Sequence, residues 1–521
     1  MSIKQLSLLL ILFLGLNGLQ AQDDENLTYS NELARACVTK ADKFVRNENY
    51  PAALRWMNKA IKRNPRQAEL YYNRGVIYRL TGKFEQALSD FNMTIELRPD
   101  IGRAYLNKGM TQHELGQYEE AVASYSIAAD SLKQVADIYA LRAKALAKTG
   151  RHADAAISYQ QALALKGDKA SWHLERAVEL RKTGAYAAAI SSANKALSAD
   201  STMKDAWLIR GRAQLEQGLP YEALLDAKRA ETENADDVEI RILKGDVHLA
   251  MGHINTAAEL YEGAISSNPD DAEGFYRRGR LHLMQSKNRQ AYRDLLQSVR
   301  LDSNVASYHV ALGESLERLD DFEGAEKHFD KAYKIDPESR LVARSRGTFR
   351  ARIGDFDGAL ADLDFLVKSR PTDTATLRIR ADVRKDAGQL KASIEDLNRV
   401  MQTDSSQARD WAALGYTYCL LGDFKKSYSC LQKAKRVEPT LGIIYTYLGA
   451  HAILSESVVE AGAHLDRAIQ LMPDYALSYF WRATYRKLEG KDDEACDDIS
   501  LAKKLGLTEA HMPQPAPESC Q

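Results

Sequence analysis

Arginine and aspartate recur in this sequence at one fixed distance. Six arginines spaced at multiples of 34 residues are each followed by an aspartate sixteen residues later. A guanidinium can hold a carboxylate through two parallel hydrogen bonds, which a lysine ammonium cannot do. The six pairs are Arg74 with Asp90, Arg210 with Asp226, Arg278 with Asp294, Arg346 with Asp362, Arg380 with Asp396 and Arg482 with Asp498. The recurrence predicts structural ion pairs between helices, and separately solvated surface charges are the alternative.

The residues that commonly carry catalysis form no motif. His113 and Glu114 are adjacent, but no second histidine follows at the spacing of a zinc-binding helix. The sequence has no Gly-x-Ser-x-Gly motif, no phosphate-binding glycine-rich loop and no calcium loop. We therefore predict a protein that is not an enzyme and that uses no cofactor and no metal. An unmarked enzyme or glycan-binding protein remains an alternative.

A period of 34 residues organises the chain. Fourteen copies without insertion cover residues 34–509, and we number the positions of each copy from one. Position eight is always Gly or Ala, and position twenty is always Ala or Ser. In the second copy, Tyr71, Gly75 and Tyr78 share one helical face, and Gly82 follows as a turn residue. Each copy is thus predicted to be a helical hairpin whose small residues face large ones, so we interpret the recurrent aromatics as core.

These features resemble the tetratricopeptide repeat family. The period, the small residues at positions eight and twenty, and the prolines at position thirty-two are that family's pattern. The resemblance implies an all-α fold, an α-solenoid forming a right-handed superhelix of about fourteen hairpins. It also implies that the first helix of each hairpin lines a concave groove, chiefly through positions two, five, nine, twelve and thirteen.

The arginines and aspartates occupy matched positions of this repeat. Position seven is Arg or Lys in eleven copies, and every Asp at position twenty-three shares its copy with Arg. Where position seven is Leu, position twenty-three is His328, Cys430 or His464. This covariation within one chain favours contact between the two helices of a hairpin.

The ends of the chain differ from the repeats. Residues 1–21 hold Lys4 and then the apolar run LSLLLILFLGL, which is too short to span a membrane and is typical of a signal peptide cleaved after Ala21. Residues 22–33 form a polar lead-in that we expect to be loose, and residues 510–521 form a Pro-rich tail expected to be disordered or extended. We expect an exported protein, in the periplasm or outside the cell, with no membrane span after cleavage.

The groove positions that the resemblance implies give a candidate binding surface in the last five copies. It joins a cationic strip to an apolar one, which suits an extended partner segment with an acidic group and hydrophobic anchors. The residues are Arg344, Arg352, Arg378, Lys385, Tyr416, Leu420, Ile443, Ile453 and Phe480. Packing of these side chains against neighbouring helices or against the tail is the alternative.

Charge excludes one class of partner. The chain has 71 basic and 72 acidic residues, giving a net charge of −1, and it has no basic block, so no nucleic-acid partner is expected. The leading hypothesis is an exported, non-catalytic scaffold that binds proteins or peptides in its groove. A structural subunit of a cell-envelope or secretion assembly, held by its convex face, is the second hypothesis. The sequence leaves the partner and the oligomeric state open.

Two of the five cysteines lie close enough in sequence to form a bond near the end of the chain. Export would allow Cys496 and Cys520 to form a disulfide, because oxidising compartments permit it. Its loop would stabilise the chain by about 3 kcal/mol in the chain-entropy model. We expect thiol labelling of protein purified without reductant to leave both cysteines unmodified, and labelling of both would contradict the bond.

Overall fold

A computed structural model describes residues 25–167, 169–231 and 237–513. This part of the chain contains 28 α-helices and no strand. The signal peptide predicted at residues 1–21 and Cys520 lie outside the described residues. The fold is the predicted all-α solenoid of helical hairpins.

The helices divide into two compact units. The first unit ends at Ser267, and the second begins at Asn268. The first unit holds seven hairpins. Its helices are α1 (Glu25–Arg46), α2 (Tyr50–Arg63), α3 (Ala68–Leu80), α4 (Phe84–Leu97), α5 (Gly102–Glu114), α6 (Tyr118–Ser131), α7 (Ala136–Lys148), α8 (His152–Lys166), α9 (Ala170–Lys182), α10 (Tyr186–Ala199), α11 (Lys204–Glu216), α12 (Pro220–Ala230), α13 (Val238–Ala250) and α14 (Ile254–Ser267).

The second unit also holds seven hairpins. Its helices are α15 (Ala272–Met284), α16 (Asn288–Leu301), α17 (Ala306–Glu317), α18 (Phe322–Ile335), α19 (Arg340–Ile353), α20 (Phe356–Ser369), α21 (Thr374–Asp386), α22 (Leu390–Thr403), α23 (Ala408–Leu420), α24 (Phe424–Val437), α25 (Gly442–Leu454), α26 (Ala461–Leu471), α27 (Ala476–Leu488) and α28 (Asp492–Lys504). Short 3₁₀ turns at Val458–Glu460 and Glu509–His511 complete the unit. Within each unit, every helix packs against the next one along the chain.

Two terminal segments differ from expectation. The lead-in that we expected to be loose is helical from Glu25, because α1 begins there rather than near Ala34. The tail, expected to be disordered or extended, begins with a 3₁₀ turn that packs on the second unit. Cys37, Cys419 and Cys430 are buried free thiols, whereas Cys496 is disulfide-bonded. Its predicted partner, Cys520, is outside the described residues.

Small residues at position eight allow the two helices of a hairpin to approach each other. A Cβ atom built on Gly75 would lie 2.9 Å from the ring of Phe91, and one on Gly245 would contact the ring of Tyr261. Both rings are buried. The aromatics of the second helices are therefore core residues, as the sequence indicated.

Most aromatics of the first helices are instead half-buried at the joints between repeats. Tyr71 donates a hydrogen bond to the carbonyl of Pro65 at 3.0 Å, so it links its repeat to the preceding one. Trp207, Trp411, Tyr445 and Tyr479 make the same bond to the residue six positions earlier. The donor atom on each ring explains why Tyr and Trp recur at position four.

The six predicted arginine–aspartate pairs all form within their own hairpins. In each pair the Nε and Nη2 atoms of the guanidinium donate to the two carboxylate oxygens, at distances between 2.6 and 2.9 Å. The aspartates are buried. Burial raises the pKa of Asp90, and the hydrogen bonds from Arg74 oppose that shift.

The same arginines also reach the preceding repeat. The Nη1 atom of Arg74 donates to the side-chain oxygen of Asn58 at 2.7 Å, and that of Arg380 to Asp364 at 2.6 Å. Arg210, Arg346 and Arg482 bind Asn194, Asp330 and Asp466 in the same way. Each of these partners is at position twenty-five, which sequence reasoning missed. One side chain thus fixes three helices relative to each other.

A left-handed residue ends the first helix of every hairpin. Position fifteen has a positive φ in all fourteen copies, and it is glycine in ten of them. The exceptions are Glu48, Ser286, Asp320 and Glu456, with φ between 55° and 61°. A side chain in this conformation costs roughly 1–2 kcal/mol per residue.

We expect Glu456→Gly to raise the free energy of unfolding of the second unit by about 1 kcal/mol, because it removes this backbone strain. The control is Gly422→Ala, which adds a Cβ atom at φ 84° in open space and should lower stability by a similar amount. Urea unfolding followed by circular dichroism measures both. Shifts of the same sign in the two variants would contradict the explanation.

We expect Asp396→Ala to destabilise the second unit by about 3 kcal/mol, because it leaves the buried guanidinium of Arg380 without its main partner. Arg380→Lys should also destabilise it, but less, since an ammonium keeps the charge without the paired geometry. Lys327→Ala removes the exposed ion pair with Glu323 and should leave the urea midpoint unchanged. An Asp396→Ala midpoint equal to that of Lys327→Ala would show that the buried pairs contribute little.

Candidate functional site

The candidate surface lies on the first helices of the last five hairpins. In the second unit α19 packs against α21, α23 against α25, and α25 against α27. The loops and small residues described above bring these helices side by side. Their side chains therefore either cover one another or remain exposed on a common face.

The four predicted cations all have carboxylate partners. Arg378 binds Asp410 of the next hairpin through two hydrogen bonds of 2.8 Å, and Asp410 is buried. Lys385 lies 3.5 Å from Asp382 and 3.3 Å from Asp386. Burial lowers the pKa of Lys385, but these two carboxylates outweigh it and raise the pKa above its ordinary value. Both side chains are thus committed to the structure of the unit.

Arg344 and Arg352 are the exposed members of the cationic strip. The Nη2 atom of Arg344 lies 3.3 Å from Asp373, and Nε of Arg352 lies 3.1 Å from Glu317. Their side chains are 45% and 59% exposed, so water reaches both guanidiniums, whereas the carboxylates are largely buried. Burial raises the pKa of Glu317, and the nearby Arg352 opposes that shift. Of the four cations, these two are the most exposed.

Most of the predicted apolar strip is core rather than surface. Tyr416, Ile453 and Phe480 are buried, because the neighbouring first helices pack directly over positions five, nine and twelve. Tyr416 stacks on Tyr447 with ring centres 4.2 Å apart, and its hydroxyl accepts a hydrogen bond from Trp481. The expectation that these three side chains face a partner is corrected accordingly.

Leu420 and Ile443 are the two apolar positions that stay partly exposed. Both pack at the edge of the cluster that contains Tyr416 and Phe480. The C-terminal residues Leu505, Leu507 and Met512 pack against the same cluster. The apolar strip is therefore partly covered by the end of this chain, which is the alternative that the sequence left open.

His511 attaches the C-terminal segment to the tenth hairpin. Its Nε2 atom lies 3.0 Å from the carbonyl oxygen of Ala351, and its Nδ1 atom lies 2.7 Å from the hydroxyl of Thr508. A carbonyl oxygen can only accept, so the Nε2–H of His511 donates the bond to Ala351. The ring also meets Phe356 edge to face, with centres 5.5 Å apart.

A cavity of about 580 Å³ lies between this segment and the helices beneath it. Its wall combines the charged pair Lys385 and Asp386 with the apolar side chains of Leu420 and Leu477 and the ring of Tyr475. Burial raises the pKa of Asp386, and Lys385 opposes that shift. No periodic signal marks this site, because His511 and Met512, which help to close it, lie outside the repeats.

The described residues offer no group of three or more His, Cys, Asp or Glu side chains that could hold a metal ion. Within the same ranges, no helix combines the length and the apolar character that a membrane crossing requires. The surface is instead suited to contacts with a polypeptide, because it offers exposed guanidiniums and an apolar edge.

Comparisons with known proteins agree with the hairpins. Models described as tetratricopeptide repeat match residues 68–101, 306–339, 106–173, 140–204, 174–238 and 242–288. Stress-induced-phosphoprotein 1 of Caenorhabditis elegans is 38% identical over 72 residues, which are 14% of this chain and 22% of that protein. The chain thus matches about a fifth of that relative's length.

Two solved structures show a distant likeness. The Cut9-Hcn1 hetero-tetramer of APC/C aligns with 88% of this chain and 98% of its own, at 12% identity and a TM-score of 0.46. A tetratricopeptide repeat protein of Parabacteroides merdae aligns with 48% of this chain and 99% of its own, at 18% identity and a TM-score of 0.34.

The family models coincide with observed hairpins. The match at residues 68–101 holds α3 and α4, and the match at residues 306–339 holds α17 and α18. The residues at positions eight and twenty that define the match are the ones that bring the two helices together. This chain therefore contains tetratricopeptide repeats.

Proposed function

We propose that this protein is an exported, non-catalytic scaffold that binds protein or peptide partners on the first-helix face of its repeats. The observation that carries the proposal is the array of tetratricopeptide repeats itself, because its hairpins are joined by buried ion pairs into a firm support. A support of this kind holds partner residues at fixed distances without chemistry of its own.

Export is supported by two independent features. Within residues 1–21 an apolar run follows Lys4, and the stretch ends at the small residue Ala21, as in secretory signals. Cys496 is disulfide-bonded, which suits an oxidising compartment such as the periplasm or the cell exterior.

Arg344 and Arg352 are the residues of the predicted strip that a partner can reach. Both are exposed, both lie on α19, and each has a carboxylate nearby. We propose that they bind an acidic group of the partner and increase the rate of encounter with it. Arg378 binds Asp410 of the next hairpin, and Lys385 is paired with two carboxylates of its own helix, so we exclude both from this acidic contact.

We expect the double variant Arg344→Glu and Arg352→Glu to weaken the capture of partners from an envelope extract at least tenfold at low salt. The loss should shrink as salt rises, because exposed charges are screened. Binding is measured by pull-down with the full-length chain, and circular dichroism verifies the fold.

The matched control is Lys368→Glu with Arg436→Glu, which makes the same charge change at exposed residues of the second helices α20 and α24. It should leave capture unchanged. If instead the control loses the partner and the first variant retains it, the protein is held by its second-helix face, as a structural subunit of an envelope assembly would be.

A further inference from the structure

The end of this chain crosses the first-helix face of its own second unit. After α28 the backbone turns at Gly506, whose φ is 98°, and a 3₁₀ turn at Glu509–His511 follows. This brings His511 to Ala351, which is 160 residues earlier in the sequence. The segment of residues 507–513, hereafter the closing segment, is thus placed on α19 and α20 from the far end of the unit.

The tenth hairpin is shaped to receive this segment. Gly354 ends α19 with φ 86°, and a Cβ atom there would lie only 2.9 Å from the Cβ atom of Ala510. The carbonyl oxygen of Ala351 accepts from the N–H of Gly354 at 3.2 Å, and its second lone pair is available to His511. Phe356 offers the edge or face of its ring to an imidazole. A main-chain acceptor, an aromatic ring and a bare glycine form a small receptor for a peptide.

The closing segment is held by few contacts. His511, Met512 and Pro513 remain partly exposed, and Glu509 and Ala510 are exposed. One hydrogen bond to the main chain of α19, one aromatic contact and the packing of Leu507 and Met512 hold it on the surface. Segments with so few buried contacts open locally at a small free-energy cost.

The closing segment also leaves space beneath it. The cavity of about 580 Å³ under Ala510, His511 and Met512 is lined by Leu420, Tyr475 and Leu477. A longer or bulkier peptide could fill this volume and gain apolar contacts that the chain's own residues do not make.

We infer that the surface formed by Ala351, Gly354, Phe356, Leu420 and Leu477 is a peptide-docking site, and that the closing segment is its resident, exchangeable ligand. The partner it fits is an extended segment with the same chemistry: a histidine followed by an apolar residue and proline. This inference rests on the proposed function, since it names the kind of partner that the scaffold binds. The closing segment competes with that partner and lowers its apparent affinity, because only the fraction of molecules in which the segment is open can bind it.

The test uses the full-length chain and a fluorescein-labelled synthetic peptide of residues 507–513. Fluorescence anisotropy should show weak binding to the wild type, whose site is occupied. The variant His511→Ala with Met512→Ala loosens the closing segment, so the peptide should bind it at least tenfold more tightly. Hydrogen exchange of residues 507–513 should rise in the same variant, which shows directly that the segment has left the surface.

Phe356→Leu in the loosened background should abolish the gain, because leucine keeps the apolar contact but removes the ring that meets the histidine. Phe365→Leu, a partly exposed phenylalanine of the same helix α20, is the matched control and should retain the gain. Circular dichroism verifies that each variant is folded.

Two results would overturn the inference. If the folded, loosened variant binds the peptide no more tightly than the wild type, the closing segment is a fixed structural cap. If gel filtration shows a wild-type dimer that the loosened variant loses, the segment docks on a second copy rather than on its own chain. Peptide binding needs no captured partner, so failure of the proposed scaffold function in the pull-down leaves this measurement unaffected.

Discussion

The arginine at position seven is the interaction on which the geometry of the array depends. Its Nε and Nη2 atoms hold the aspartate of its own second helix, and its Nη1 atom holds an amide or carboxylate oxygen of the preceding second helix. The guanidinium is planar, so fixing three of its donors fixes the relative orientation of three helices. Apolar packing at positions eight and twenty sets the distance between helices, and this charged fork sets the angle.

Because these ion pairs are buried, the loss of either partner is costly. Asp396 is 1% exposed, and Arg384 binds the same carboxylate at 2.8 Å beside Arg380. A buried ion pair adds little net stability over a well-packed apolar pair, but the loss of one partner leaves a desolvated charge. This asymmetry explains why the positions change together.

In the ninth hairpin the arginine–aspartate pair is replaced as a whole. Leu312 is buried, and the second helix supplies His328, whose Nδ1 lies 2.9 Å from Nδ1 of His309. Burial lowers the pKa of both histidines, so this pair contributes packing and one hydrogen bond without charge.

The sequence predicted what repeats and failed where single contacts decide. Three features recur in the copies: the hairpin, the turn at position fifteen and the partner at position twenty-three. The copies within this one chain can therefore be compared with each other. Position twenty-five carried a similar signal, since Asn58, Asp364 and Asp466 each precede a repeat with arginine at position seven. The signal is weaker because amides and acids alternate there. The burial of Tyr416 and Phe480 could not be predicted. The position of a residue in the repeat indicates its helix face, but it does not show how the next hairpin packs over that face.

The position of the closing segment could not be predicted from the repeat pattern, for a different reason. A solenoid buries each hairpin against two neighbours, so the last hairpin has an apolar face that something else must cover. Leu505 and Leu507 cover it, and they pack with the cluster that holds Trp481. The residues after them continue past this cap to Ala351, where the last hairpin needs no covering. Residues 508–513 therefore reach beyond this face, and His511 meets a hydrogen-bond acceptor and an aromatic ring there. Since Gly506 separates α28 from this segment in a conformation that glycine adopts freely, residues 508–513 can leave the surface while α28 stays in place.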